Sequence, residues 1–241
     1  MEIIISNNYE ETSEKATDLI EALMKNKLKP LICVASGDSP AGIYKNFVER
    51  VNEKELDISQ WQFLGLDEWV GLNGADEGSC RYHLNEQLFN PLKIPNDTIH
   101  FFDGASDDLE QQCWMTEAAI QKHEGIEVAI LGLGLNGHIG MNEPNTSISS
   151  RSHIINLDPL TAQVGQKYFK TPQVLSKGIT LGIASLLEAK NIILIVTGEK
   201  KAAIIKEVIE GAITEKVPAS ILRNHPNCYL FLDKAAASLL E

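Results

Sequence analysis

The run from Leu131 to Pro144 places a histidine and a carboxylate in a glycine-rich turn directly after a short apolar stretch. Gly132, Gly134, Gly137 and Gly140 fall within nine residues. Such density costs chain entropy and is used where the backbone takes positive φ or approaches a ligand closely. His138 is a proton carrier near neutral pH, and Asn136 or Glu143 could fix its tautomer. The same run spells G-x-G-x-x-G at Gly132, Gly134 and Gly137, with Asp158 about where a ribose-binding acid would fall. A dinucleotide site also needs a helix N-terminus for the pyrophosphate. Pro144 and the following Asn-Thr-Ser-Ile-Ser-Ser show no helical periodicity, so no cofactor is expected there.

Two other turns carry candidate chemistry. Ala35 to Pro40 contains Ser36, Gly37, Asp38 and Ser39 at the start of an amphipathic pattern, offering backbone N–H groups, hydroxyls and a helix dipole to an anion such as phosphate. The plainer reading is a helix capped by Ser39. Leu66 to Leu72 follows an apolar run and contains Asp67 and Glu68, which alternation would point in opposite directions, one towards a cleft and one into a structural pairing. His138, Glu143 and Asp67 lack a second histidine to complete a metal set, so no metal is expected.

These turns need elements to position them. Apolar strand-like runs occur at Ile3 to Ile5, Leu31 to Ala35, Gln62 to Leu66, Glu127 to Leu131, Ile192 to Thr197 and Tyr229 to Leu232. Amphipathic helical patterns lie at Tyr9 to Lys27, Pro40 to Glu53, Asp107 to His123 and Lys200 to Gly211. Alternation of this kind predicts an α/β fold with a doubly wound, mostly parallel, Rossmann-like sheet and helices on both faces. Ligands then gather at the carboxyl ends of the strands, where all three turns lie.

The 241 residues, 44% apolar and 22% charged, suit one domain spanning 1–241, with a candidate lid at 157–178 rich in Thr, Gln and Lys. The net charge of −12 argues against a nucleic-acid partner. A small anion needs only a few local donors. Cys33, Cys80, Cys113 and Cys228 have no C-x-x-C spacing and read as reduced thiols; with no signal-peptide pattern or long apolar run, a cytoplasmic location without membrane partners is expected.

Taken in order, Ser36-Gly37-Asp38-Ser39-Pro40, Leu66-Asp67-Glu68-Trp69-Val70-Gly71-Leu72, Gly137-His138-Ile139-Gly140-Met141-Asn142-Glu143-Pro144 and Val196-Thr197-Gly198-Glu199-Lys200-Lys201 resemble the glucosamine-6-phosphate deaminase/isomerase family, whose relatives include 6-phosphogluconolactonases. Trp69 after Asp67-Glu68 fits the deaminases, since the lactonases usually carry arginine there. Asn136, Trp69, Gly178 to Gly182 and Pro218 to Ser220 look most like the galactosamine-6-phosphate subgroup.

The resemblance implies a cofactor-free hydrolase and isomerase acting on a 2-amino-2-deoxyhexose 6-phosphate. Galactosamine 6-phosphate would give tagatose 6-phosphate and ammonia; the alternative, glucosamine 6-phosphate, would give fructose 6-phosphate. Asp67 would be the base at C2, His138 would open the ring, and Glu143 would orient it with Asn136 alongside. Ser36, Gly37, Asp38, Ser39, Gly137, Lys167 and Lys201 would bind the phosphorylated substrate. Asn136 stands where relatives usually carry an acid, and Lys167 where an arginine grips phosphate. His153 and Ile155 replace basic residues of allosteric members, implying no such activation. A lactonase or a non-catalytic sugar-phosphate sensor are the remaining alternatives. A homo-oligomer stays open.

Overall fold

The computed structural model describes residues 1–240. Its elements are β1 (Glu2–Ser6), α1 (Tyr9–Met24), β2 (Leu31–Val34), α2 (Asp38–Asn52), β3 (Gln62–Gly65), β4 (Asp67–Trp69), α3 (Cys80–Leu84), β5 (Ile99–His100), α4 (Leu109–Lys122), β6 (Val128–Leu131), β7 (His153–Asn156), α5 (Pro159–Gly165), β8 (Lys177–Thr180), α6 (Ile183–Leu187), β9 (Ile192–Val196), α7 (Ala202–Glu210) and β10 (Cys228–Asp233).

Local chemistry explains where the helices start. Asn8 accepts the Glu11 N–H at 2.9 Å, and Glu11 Oε2 accepts the Asn7 N–H at 2.9 Å, so the first turn of α1 satisfies its own donors. Asp108 caps α4 in the same way. Asp158 caps α5, with Pro159 in the first helical position, where its missing N–H costs nothing. At α2 the helix begins at Asp38 and the cap is Gly37, with φ of 121°, so Ser39 lies inside the first turn and does not cap.

A seven-stranded sheet runs β1-β10-β9-β6-β2-β3-β5, every pair parallel. Both faces are covered, which is why β2, β6 and β9 read as unbroken apolar runs. Alternate side chains feed two cores. Cys33, Leu131, Leu194 and Leu230 pack with α4, α6 and α7 on one face. Ile32, Ile130, Ile193 and Phe231 pack with α1 and α2 on the other. The doubly wound α/β expectation holds.

Asp67–Trp69, read from sequence as part of a turn, is instead a strand. β4 pairs antiparallel with β8, and β8 with β7, forming a second sheet of three strands. Leu66 is the corner, its N–H bonded to Val34 O at 3.1 Å and its carbonyl accepting from Leu181 N at 3.0 Å. Three residues are too few for a period of two to declare itself. The order of strand connection reverses between the parallel neighbours β2, followed on one side by β3, and β6, followed on the other by β9, so a crevice opens at their carboxyl ends. No helix among the described residues is long and apolar enough to cross a membrane, and all four cysteines are free and buried.

At the far edge, His100 on β5 and His123 at the end of α4 face each other with ring centroids 5.2 Å apart, neither Nε2 finding a hydrogen-bond partner. Burial first, then neighbouring charge including Lys122, pushes both imidazoles below the ordinary histidine range. The folded state therefore binds fewer protons than the unfolded chain, and stability is lost as pH falls below about 6.5. In urea unfolding between pH 8 and 5 the wild-type protein is expected to lose stability relative to His123→Gln as the pH falls; a constant difference between the two would remove the pair from the account.

Candidate active site

The crevice is a cleft of about 280 Å³. Its wall takes Ala35 to Pro40 from the end of β2, Leu66 and Asp67 from the β3–β4 corner, Gly132 to Asn136 and His138 from the end of β6, and Thr197 and Lys201 from the end of β9. Leu160, Thr161, Val164, Gly165, Lys167 and Tyr168 close it from α5 and the turn that follows.

Asp67 and Glu68 diverge as the alternation predicts. Asp67 lines the cleft and is 8% exposed. Burial lifts its carboxyl to about 6, against the pull of the Cys80 thiol and the charge of His138. It is thus mostly ionised at neutral pH yet basic enough to take a proton. Glu68 is fully buried and accepts the N–H groups of Trp69 at 2.8 Å and of Cys80 and Arg81 at 2.9 Å. Burial pushes it up to about 7 against those amides. Its role is structural: it ties the start of α3 to β4 and sets Cys80 beside Asp67.

The glycine-rich turn seats the histidine. A Cβ at Gly134 would lie 2.3–2.4 Å from the His138 ring atoms, so only glycine leaves room. The Gly134 N–H donates to the His138 carbonyl at 2.9 Å. Behind the ring, Glu143 Oε2 lies 3.5 Å from Nδ1 and accepts from the Asn136 amide at 2.9 Å. Glu143 Oε1 accepts the Asp158 N–H at 3.2 Å. Burial would raise the Glu143 carboxyl, but the neighbouring His138, Thr161 and Asn136 side chains hold it below its ordinary value. Asn136 Oδ1 accepts the His138 N–H at 3.2 Å, so this residue fixes both neighbours.

Gly137 does not join them. It lies outside the cleft wall, at φ of 85°, and a Cβ there would meet Val217 Cγ1 at 2.8 Å. It shapes the turn, donating its N–H to the Gly134 carbonyl at 3.1 Å and accepting from Ala219 N at 2.9 Å. Asn142, fully buried, holds the end of the turn by donating to the Ile139 and Leu181 carbonyls at 2.9 and 2.8 Å.

Ser36, Gly37, Asp38 and Ser39 form the opposite wall at the start of α2. The Tyr9 hydroxyl clamps this turn, donating to Asp38 O at 2.9 Å and accepting from Gly42 N at 2.6 Å. A carboxylate beside an anion site is repulsive, but the exposed Asp38 side chain turns to Lys167 Nζ at 2.6 Å. Lys201 is not a solvated surface lysine. Its ammonium lines the cleft and donates to the Leu133 carbonyl. Burial, then the charge of Lys167, lowers it to about 8. Hydroxyls, amides and two lysines thus line the same cleft as a carboxylate and a histidine.

Cys80, Thr161 and Tyr168 line the cleft without any signal in the sequence that marks them. Of the expected lid, α5 and the turn Gln166–Tyr168 cover the site, while 169–176 lead irregularly into β8.

The model of the glucosamine-6-phosphate isomerases/6-phosphogluconolactonase family matches residues 6–230. The chain belongs to this family. Glucosamine-6-phosphate deaminases of Thermoanaerobacter pseudethanolicus and Clostridium botulinum are 39% and 37% identical to it, each match covering 100% of this chain and 95% and 97% of the relative. The solved structure of a monomeric glucosamine-6-phosphate deaminase of the NagB superfamily superposes with a TM-score of 0.95 at 32% identity, covering 99% of this chain and 100% of that one. The 6-phosphogluconolactonase of Trypanosoma brucei superposes at 0.78 with 18% identity over 100% of this chain and 98% of that one, a likeness of fold alone. The protein is an enzyme of the glucosamine-6-phosphate deaminase family. The galacto preference read from the sequence finds no support among these relatives, whose names favour the gluco alternative.

Glu68→Gln tests the anchoring of α3. In either orientation the amide turns a donor towards at least one of the three N–H groups, a cost of about 1–3 kcal/mol. The urea midpoint is expected to fall accordingly; a wild-type midpoint would show that the carboxylate does not anchor the helix.

Proposed function

We propose that the protein converts glucosamine 6-phosphate and water to fructose 6-phosphate and ammonia. The observation that carries this reading is the placement of Asp67, with its carboxyl near 6, within electrostatic reach of His138 in a cleft that also offers serine hydroxyls, amides and Lys201. The names of the similar proteins support the gluco substrate.

The hydrogen at C2 is acidic only once the pyranose has opened to the aldehyde. His138 takes the proton of the anomeric hydroxyl while the ring oxygen gains one, and the C1–O5 bond breaks. Ionised Asp67 then removes the C2 proton while O1 takes up the proton held by His138, leaving an enolamine, and Asp67 returns its proton to C1 as the amine releases one to solvent. The resulting C2 imine adds water and expels ammonia. No electrons are gained or lost overall, so the chemistry requires only positioned acids and bases, each worth about 10²- to 10⁴-fold. Ser36, Ser39 and the first amides of α2 would hold the phosphate with Lys201, while Lys167 closes from the lid. The lid residues Leu160 and Val164 would shield the enolamine from water.

Ammonia release from glucosamine 6-phosphate and galactosamine 6-phosphate, measured side by side with 6-phosphogluconolactone as control, tests the assignment. A higher kcat/KM for the gluco substrate supports it, and release only from the galacto epimer or only lactone hydrolysis overturns it. kcat/KM is expected to fall as pH drops through about 6, where Asp67 takes up its proton. Asp67→Asn should abolish exchange of the C2 hydrogen with solvent deuterium while the sugar phosphate still binds. Lys201→Met should lower kcat/KM by about 1.5–3 kcal/mol, the scale of a charge-assisted bond, and a wild-type value would free Lys201 from phosphate binding.

A further inference from the structure

The lid supplies a hydroxyl for which the reaction above has no use. Thr161 lies on α5, three residues past the Asp158 cap, and is 6% exposed. Its Oγ1 is 3.2 Å from His138 Nδ1. The nearest Glu143 oxygen is 3.5 Å from the same nitrogen, beyond the usual N–H···O range. The Thr161 side chain also helps hold the Glu143 carboxylate ionised. One hydroxyl therefore contacts the imidazole and neighbours the carboxylate behind it.

A hydroxyl has one proton and two lone pairs. An ionised carboxylate is the stronger acceptor, so the proton goes to Glu143. The oxygen is left to accept from Nδ1, which must then carry the imidazole proton. Nε2 has no protein partner among the described hydrogen bonds and keeps its lone pair. That is the form of histidine able to take a proton from an anomeric hydroxyl.

We propose that Thr161 is a positioning residue whose hydroxyl relays between His138 Nδ1 and Glu143, holding Nε2 as the proton acceptor and making that state depend on a seated lid. The dependence follows from where α5 is fastened. At its start, the Asp158 N–H donates to Glu143 Oε1 at 3.2 Å. Just past its end, Lys167 pairs with Asp38 at 2.6 Å and the Tyr168 ring packs on His83 with centroids 5.0 Å apart. One short stretch of chain, 158–168, thus touches the histidine relay at one end and the anion-binding turn at the other. A lid that lifts takes the relay hydroxyl with it.

The proposal rests on the ring-opening role given to His138, but its first test does not. The ¹⁵N spectrum of the His138 imidazole in the free wild-type protein, assigned by comparison with His138→Gln, reports the tautomer directly. A protonated Nδ1 and bare Nε2 are expected, and a protonated Nε2 overturns the proposal without any variant having to fold. Thr161→Val keeps the volume and loses the hydroxyl; Thr161→Ser keeps the hydroxyl. In the valine variant the tautomers should mix, and kcat with glucosamine 6-phosphate should fall roughly 10- to 100-fold, the scale seen when an outer partner of a histidine is removed. KM should stay within about twofold, and serine should restore both signals. A valine variant with wild-type tautomer and kcat, or a folded serine variant that restores neither, overturns the proposal. Failure of the substrate assignment would show separately, as wild-type enzyme that releases no ammonia while its tautomer result stands.

Discussion

One residue belongs to both sheets, and the site is built outward from it. The Leu66 N–H continues the hydrogen bonding of the parallel sheet to Val34, and its carbonyl begins that of the antiparallel sheet to Leu181. Everything after it inherits its register. Asp67 faces the cleft because Glu68 must face away, and Glu68 is held by the amides of α3, which brings Cys80 to Asp67. The partner strand β8 is also the strand in which the lid segment ends. Inserting a residue at this corner would exchange the two carboxylates, since a slip of one position turns every side chain to the opposite face.

A chain with a net charge of −12 still gathers positive charge where an anion would sit. Lys167, Lys201 and the start of α2 converge from three separate segments. Desolvation acts on the site in two senses. It raises Asp67 to about 6 and lowers Lys201 to about 8, because burial penalises whichever form is charged. Neutral pH lies between them, so both remain charged in the range where most enzymes work while each becomes readier to exchange a proton.

The inner strands β2, β6, β9 and β10 were legible because they are buried on both faces and therefore mostly apolar, while the two-residue edge strand β5 gave no signal. The second sheet was not legible either. β4 has three residues, β7 carries the polar His153 and Asn156, and β8 begins with Lys177 and Gly178, so no alternation announces them. Asp67, Asn136, His138, Glu143 and the Ser36–Ser39 turn stand out in the sequence because each follows a strand end or stands in a glycine-rich turn, whereas Lys167 and Lys201 are marked by the family resemblance alone; the structure sets all of them in or beside the cleft. Gly137 lies off the cleft wall, and a glycine needed for a turn and one needed for a ligand look alike in sequence. Thr161 and Cys80 could not be found, since a single hydroxyl or thiol acquires a role only through partners distant in the chain. The galacto preference rested partly on Pro218 to Ser220, which lie buried outside the cleft, where Ser220 bonds to Thr214. Asn136 spends its amide on Glu143. These residues carry little information about the direction of one substrate hydroxyl.

The ion pair between Asp38 and Lys167 sets a carboxylate against an ammonium where the proposed phosphate would sit. Both side chains are largely exposed, and such a pair is worth about 0–1 kcal/mol. Under the function proposed above, an arriving phosphate dianion, with twice the charge and three oxygens, would displace the carboxylate. Seating the lid on substrate would then be an exchange of one anion for another at the same ammonium, driven by the difference between the two pairings. When product departed, Asp38 would recapture Lys167 and return the lid to a defined resting place. Such a site would trade some grip on its ligand for ease of release, which suits a catalyst better than a receptor.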